Sequence, residues 1–229
     1  MVTVAQAPPS ERAQFIQKTY MHLAGAVGAF IALEFILFQT GIAALLTQFV
    51  TASRFSWLAI LAGFAVLGWF SRELAAKADS VNTQYAGLGI YVVAEALIFA
   101  PILYIAAYFS DPTVIPTAGI LTLLMFAGLT AVAFTTGKDF SFLGGILKVG
   151  GLVALGLIIC SVIFGFTLGL FFSVVMVAFA SAAILYDTSK VMHHYSSHHY
   201  VAASLELFAS VALLFWYLLR IVMALSSRR

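Results

Sequence analysis

Charge is what this chain has least of. Only 9% of its 229 residues are Asp, Glu, Lys or Arg, against about 25% in an ordinary globular domain. So little charge cannot cover a water-facing surface of this size, which argues against a soluble enzyme. The charges nearly balance, 11 basic against 9 acidic, and no basic run concentrates them, so nucleic acid is not an expected partner. Cysteine is almost missing. Cys160 stands alone in an apolar stretch, and a single thiol forms no intramolecular disulfide. A phosphate-cradling glycine loop, an HExxH helix and a cysteine pair for zinc are also absent. No lysine follows Lys190, so the last helix cannot form a retinal Schiff base. No nucleophile is paired with a base, and the chain is read as neither an enzyme nor the holder of a resident cofactor.

What is present in excess is apolar surface: 63% of residues are hydrophobic and the mean hydropathy is +1.07. A spanning helix needs about 20 apolar residues, so the chain has room for seven or eight spans and no second, soluble domain. The polar and turn residues between apolar windows mark seven spans: about 20–38, 55–70, 84–108, 116–135, two within 143–188, and 201–224. Leu143 to Thr188 contains only Lys148 and Asp187 as charges. A single helix that long would overshoot a bilayer, so it is split at Gly165–Gly169. The expected fold is all-α, a multipass membrane protein of seven transmembrane helices. Residues 1–19 form a polar N-terminal arm, 20–225 the transmembrane domain and 226–229 a basic C-terminal tail. The arm precedes a first apolar run too long for a signal peptide, so that run is read as a retained span.

Basic residues in short loops mark the cytoplasmic side. With the N-terminus inside, Arg12, Lys18, Arg72, Lys77, Lys138, Lys148 and Lys190 fall inside and only Arg54 falls in an outer interhelical loop. Arg220, Arg228 and Arg229 then end up outside. The last segment is still read as a crossing, because it has no glycine or proline at which to turn back.

Charges within spans are costly and usually face protein or water. Glu34, Glu95, Asp187 and Glu206 are the intramembrane acids, and Arg220 is the clearest buried cation. Glu206, Ser210, Leu213, Tyr217 and Arg220 recur at helical spacing and share one face of the last span. That face points at a polar pathway or at a buried hydrogen-bond network. Glu34 and Arg220 lie at similar outer depths and are expected to pair. On span three, Tyr91 and Glu95 share a face, and Pro101 frees the carbonyl of Leu97. Such oxygens suit calcium, and Asp187, Glu206 and Glu95 are the candidate cation ligands. His193, His194, His198 and His199 lie between the last two spans. His194 and His198 could share a helix face and bind a metal, or the segment is simply a solvated loop.

Four segments in order, ERAQFIQKTYMHLAGAVGAF (11–30), EALIFAPILYI (95–105), FTTGKDFSFLGGIL (134–147) and ILYDTSKV (184–191), resemble the Bax inhibitor-1 (transmembrane Bax inhibitor motif) family in its bacterial branch. The resemblance runs from about Glu11 to Arg220. It implies six helices around a central seventh, a pH-sensitive calcium leak, and roles in stress protection or membrane-protease regulation. It further implies an aspartate pair on spans six and seven, with an arginine at the end of span two latching the first aspartate. Asp187 matches that aspartate, Arg72 the latch, and Arg220 an arginine that pairs with an acid in the closed state. The second aspartate is replaced by Ser210. Two carboxylates sharing a proton titrate as a unit; a serine takes no part, so weaker pH dependence near neutrality is expected.

The function expected on this basis is a calcium or other cation leak through the plasma membrane, with the N-terminus cytoplasmic and calcium as cargo. The alternative is a non-conducting regulator of a membrane protease or stress response.

Overall fold

The computed structural model describes residues 3–77 and 80–227, leaving aside the Arg54 side chain. Arg228 and Arg229, the charges of the expected basic tail, lie outside the described residues, as does the side chain of the one outer-loop arginine. A single 3-10 turn, Val4–Gln6, precedes eight α-helices: α1 (Pro9–Gln39), α2 (Ile42–Ala52), α3 (Arg54–Ala75), α4 (Val81–Phe109), α5 (Val114–Thr136), α6 (Leu143–Phe164), α7 (Gly169–His193) and α8 (Tyr200–Ser226). All but α2 are long and apolar enough to cross a membrane. The protein is an integral multipass membrane protein.

The helix ends follow local chemistry. Pro9 occupies the first turn of α1, where its missing N–H costs nothing. The helix therefore begins well before the apolar run, and most of the expected polar arm is helical. Ser80 caps α4 by accepting from the Thr83 amide. Gly165 and Gly169, at φ 75° and 63°, make the turn between α6 and α7, a backbone region that suits glycine. Ser71–Ala75, read from sequence as interhelical, instead continues α3. The short α2 was not anticipated; at 11 residues it is too short to span and packs against α1, α3 and α4.

The central helix is α8, which packs against α1, α3, α4, α5 and α7 and is an unbroken crossing. Beside it, α4 is the most buried span, while α6 is almost wholly exposed and turns Leu152, Phe164 and their neighbours outward. Apolar side chains gain little from one another against lipid, so contacts between spans depend on close packing and polar bonds. At Gly87 of α4, an added Cβ would stand 2.5 Å from the Ser71 carbonyl oxygen and 2.7 Å from the Ala75 nitrogen. That close approach fixes α3 against α4 one turn from Arg72. Gln84 reinforces it by donating to the Lys77 carbonyl at 3.1 Å.

Ring contacts identify the two faces of the bundle. His22 of α1 meets Tyr85 and Tyr200 near the starts of α4 and α8, the N-terminal face. Phe38 meets Tyr104 and Tyr108 at the opposite, far face. The N-terminal face is strapped: Val4 is fully buried and its amide donates to the Tyr195 carbonyl at 2.8 Å.

A cavity ending at two polar locks

A cavity of about 810 Å³ lies between α3, α4, α6, α7 and α8. It begins beside the Phe166–Gly169 turn at the far face and reaches inward to Arg72 and Glu206. All five residues of the expected α8 face line it: Glu206, Ser210, Leu213, Tyr217 and Arg220. The α-helical repeat brings them together, and the cavity is what that face points at. Tyr91 and Glu95, paired on α4 by the same spacing, line it too. Its length is divided by character. Arg72, Tyr91, Glu95, Glu206 and Ser210 form a polar floor. Phe64, Phe99, Leu213 and Trp216 line an apolar middle, and Arg220 and Tyr217 stand nearer the far face.

The floor holds two locks. In the first, Arg72 Nε donates to Glu206 Oε1 at 3.1 Å and to Oε2 at 3.2 Å, with the guanidinium over the Tyr91 ring, 5.2 Å from its centroid. In the second, Ser210 Oγ donates to Asp187 Oδ2 at 2.5 Å. The expected latch of Arg72 on Asp187 is therefore corrected: the arginine is taken by Glu206, and Asp187 is held by the residue standing where the resemblance places a second aspartate. The physical reason is position. Glu206 lies one turn before Ser210 and presents its carboxylate to the cavity beside Arg72, whereas Asp187 is buried on α7 behind Ser210.

The expected outer pair is also corrected. Among the described residues Glu34 and Arg220 form no ion pair; both carboxyl oxygens of Glu34 are buried without a hydrogen-bond partner, while Arg220 lines the cavity. Similar depth did not place them on facing sides of the bundle. Leu97, whose carbonyl Pro101 frees, has a side chain 38% exposed and does not line the cavity. Asp187, Glu206 and Glu95 do not form a ligand cluster; among the described residues no three His, Cys, Asp or Glu side chains could jointly hold a metal. His194 and His198 share no helix face, because α7 ends at His193 and both lie in the loop.

His194 belongs to a cluster the sequence reading missed. Asp139, in the α5–α6 loop, accepts from the Ser141 amide at 2.9 Å and from Ser189 Oγ at 3.2 Å. Its other oxygen meets His194 Nε2 at 2.9 Å, and Ser189 in turn accepts from the Phe140 amide. The Ser141 amide foremost, with the His194 and Ser189 side chains, holds the Asp139 carboxyl down at about 2. This knot ties the α5–α6 loop to the end of α7, two residues beyond Asp187. Its only sequence signal was Asp139 within GKDFS. Nearby, burial pushes the Tyr195 phenol above its ordinary value.

A family model described as "Inhibitor of apoptosis-promoting Bax1" matches residues 12–228. The modulator of FtsH protease YccA of Escherichia coli is 31% identical over 165 residues, 71% of this chain and 72% of that protein. Bax inhibitor 1 of Schizosaccharomyces pombe is 28% identical over 229 residues, 96% of this chain and 79% of that protein. An uncharacterized protein of Pseudomonas aeruginosa is 41% identical over 110 residues, and the match spans about half of that protein, 49%.

Proposed function

Because the chain belongs to the Bax inhibitor-1 family, we propose that it is a cation leak pathway of the bacterial plasma membrane with its N-terminal face in the cytoplasm. Calcium is the proposed cargo, and no resident metal, cofactor or catalytic residue is assigned. The observation that carries this reading is the cavity running from the far face to a floor closed by Arg72–Glu206 and Ser210–Asp187. Glu206 and Glu95 present carboxylates to it. While Arg72 holds Glu206, the acid is neutralised by its partner. When the pair opens, Glu206 becomes free to attract a cation, and the route onward runs past Asp187 toward the α7–α8 loop. A second barrier is the apolar middle, since apolar constrictions gate by losing their water.

Calcium entry into dye-loaded proteoliposomes tests the reading. Flux above protein-free vesicles is expected, raised by Arg72→Ala and reduced by Glu206→Gln. Flux equal to protein-free vesicles for both the parent and Arg72→Ala would overturn it. The second reading, regulation of a membrane protease, is favoured by the similarity to the E. coli modulator of FtsH protease. It predicts that co-reconstituted FtsH protease degrades a membrane substrate at a rate that depends on this chain and is unchanged by Glu206→Gln.

A further inference from the structure

Among the described residues, one cation in the cavity has no counter-ion. Arg72 is matched by Glu206, but among the described residues Arg220 makes no ion pair and no hydrogen bond. It lines a chamber whose walls are mostly apolar. A charge in that position is costly unless water or an anion meets it. Below it, from the level of Arg220 to that of Ser210, α8 descends ten residues, ~15 Å at the helical rise. Over that length the wall includes Phe64, Ile98, Phe99, Leu213 and the stacked pair Trp57–Trp216, whose ring centroids are 5.6 Å apart. The volume of about 810 Å³ is within the usual range for a small-molecule site, and such sites join apolar walls to a few placed polar groups.

We propose that this chamber binds a single-chain anionic amphiphile, its carboxylate or phosphate on Arg220 and its acyl chain in the apolar middle. The complementarity is twofold. An anion supplies the partner that Arg220 lacks, and an acyl chain covers aromatic walls that would otherwise face water. The polar floor at Arg72 and Glu206 limits the depth, so a medium-length chain fits better than a long one. The mouth beside the Phe166–Gly169 turn lies at the far face, where a free fatty acid or a lysophospholipid can enter from the outer leaflet. The site does not depend on conduction.

Tryptophan quenching reads it directly, because Trp57 and Trp216 line the chamber while Trp69 faces outward at 65% exposure. Trp69→Phe protein in phosphatidylcholine nanodiscs is titrated with ω-bromododecanoate. Saturable quenching is expected, reversed by dodecanoate but at least tenfold less well by its methyl ester. Competition by dodecanoate or by lysophosphatidylglycerol identifies the carboxylate or the phosphate source; both fit the proposal. Arg220→Gln should abolish the preference for the acid over the ester, and Arg220→Lys should keep it. Should Arg220→Gln fail to fold, Ser161→Phe, which narrows the chamber at α6 and leaves Arg220 in place, should abolish saturable quenching. Non-saturating quenching, equal competition by acid and ester, or an unchanged preference in Arg220→Gln would overturn the proposal. Since none of these readouts involves calcium, failure here and failure of the leak are separate results.

Discussion

Single residues set the character of the floor, and Ser210 sets most of it. Its hydroxyl is the hydrogen-bond donor to a buried carboxylate, and loss of such a donor costs about 1–3 kcal/mol. Ser210→Ala should therefore lower the thermal midpoint in detergent, leaving Asp187 without that donor. Ser210→Asp should act differently. It sets two carboxylates at hydrogen-bonding distance, where they share a proton and titrate as a pair. Calcium flux in proteoliposomes should then depend on pH near neutrality more steeply than that of the parent; parallel profiles would show that the pair is not the sensor. Glu34 presents the opposite case, a buried carboxyl with neither oxygen bonded. An unsatisfied polar group is costly to bury, so Glu34→Met should stabilise by about 1–2 kcal/mol. A lower midpoint for that variant would mean that Glu34 has a partner in the membrane.

At the scale of elements, the bundle depends on one close approach and one loop knot. Because Gly87 meets backbone rather than flexible side chain on α3, Gly87→Ala must push α3 and α4 apart. Overpacking of this kind costs about 1–3 kcal/mol, and the displaced Arg72 should lose its place over Tyr91. The melting midpoint should fall and flux should change together, whereas Gly89→Ala, with open space around its Cβ, should alter neither. The Asp139 knot makes a pH prediction. Its carboxyl is held from an ordinary 3.8 down to about 2, so the folded state binds the proton less readily than the unfolded chain. The resulting stability is fully present above about pH 4 and is lost as pH falls toward 2. Asp139 is half-exposed and water screens part of the effect. Unfolding midpoints measured across that window should drop for the parent and stay flatter for Asp139→Asn.

Across the whole molecule the two faces differ. The far face carries the mouth of the cavity, while the N-terminal face is sealed by the locks, by partly buried Tyr195 and by Val4 strapped across the α7–α8 loop. The chain has one native thiol, Cys160, so Cys160→Ser provides a clean background. In that background Leu213→Cys should react with a membrane-impermeant thiol reagent applied to the far face and resist it from the N-terminal face. Equal labelling from both sides would mean that the floor is open.

The sequence by itself determined the architecture. Low charge and long apolar runs leave only spanning helices, because a backbone in lipid must bond within itself. The turn between α6 and α7 was legible because glycines interrupt an otherwise uncharged run. The polar face of α8 was legible because helical periodicity is a property of the chain alone, and so was the family resemblance. Partner choice was not legible. Depth along a helix follows from counting residues, but which acid faces Arg72 depends on how α3, α7 and α8 are rotated about their axes. Rotation is set by packing such as that at Gly87. For that reason Arg72 belongs to Glu206 rather than Asp187, Glu34 and Arg220 are at similar depth without meeting, and Asp139, far from α7 in sequence, is bonded to its end. Short α2 escaped for a related reason: its apolar residues read as part of an interhelical segment until tertiary contacts held them as a helix against α1, α3 and α4.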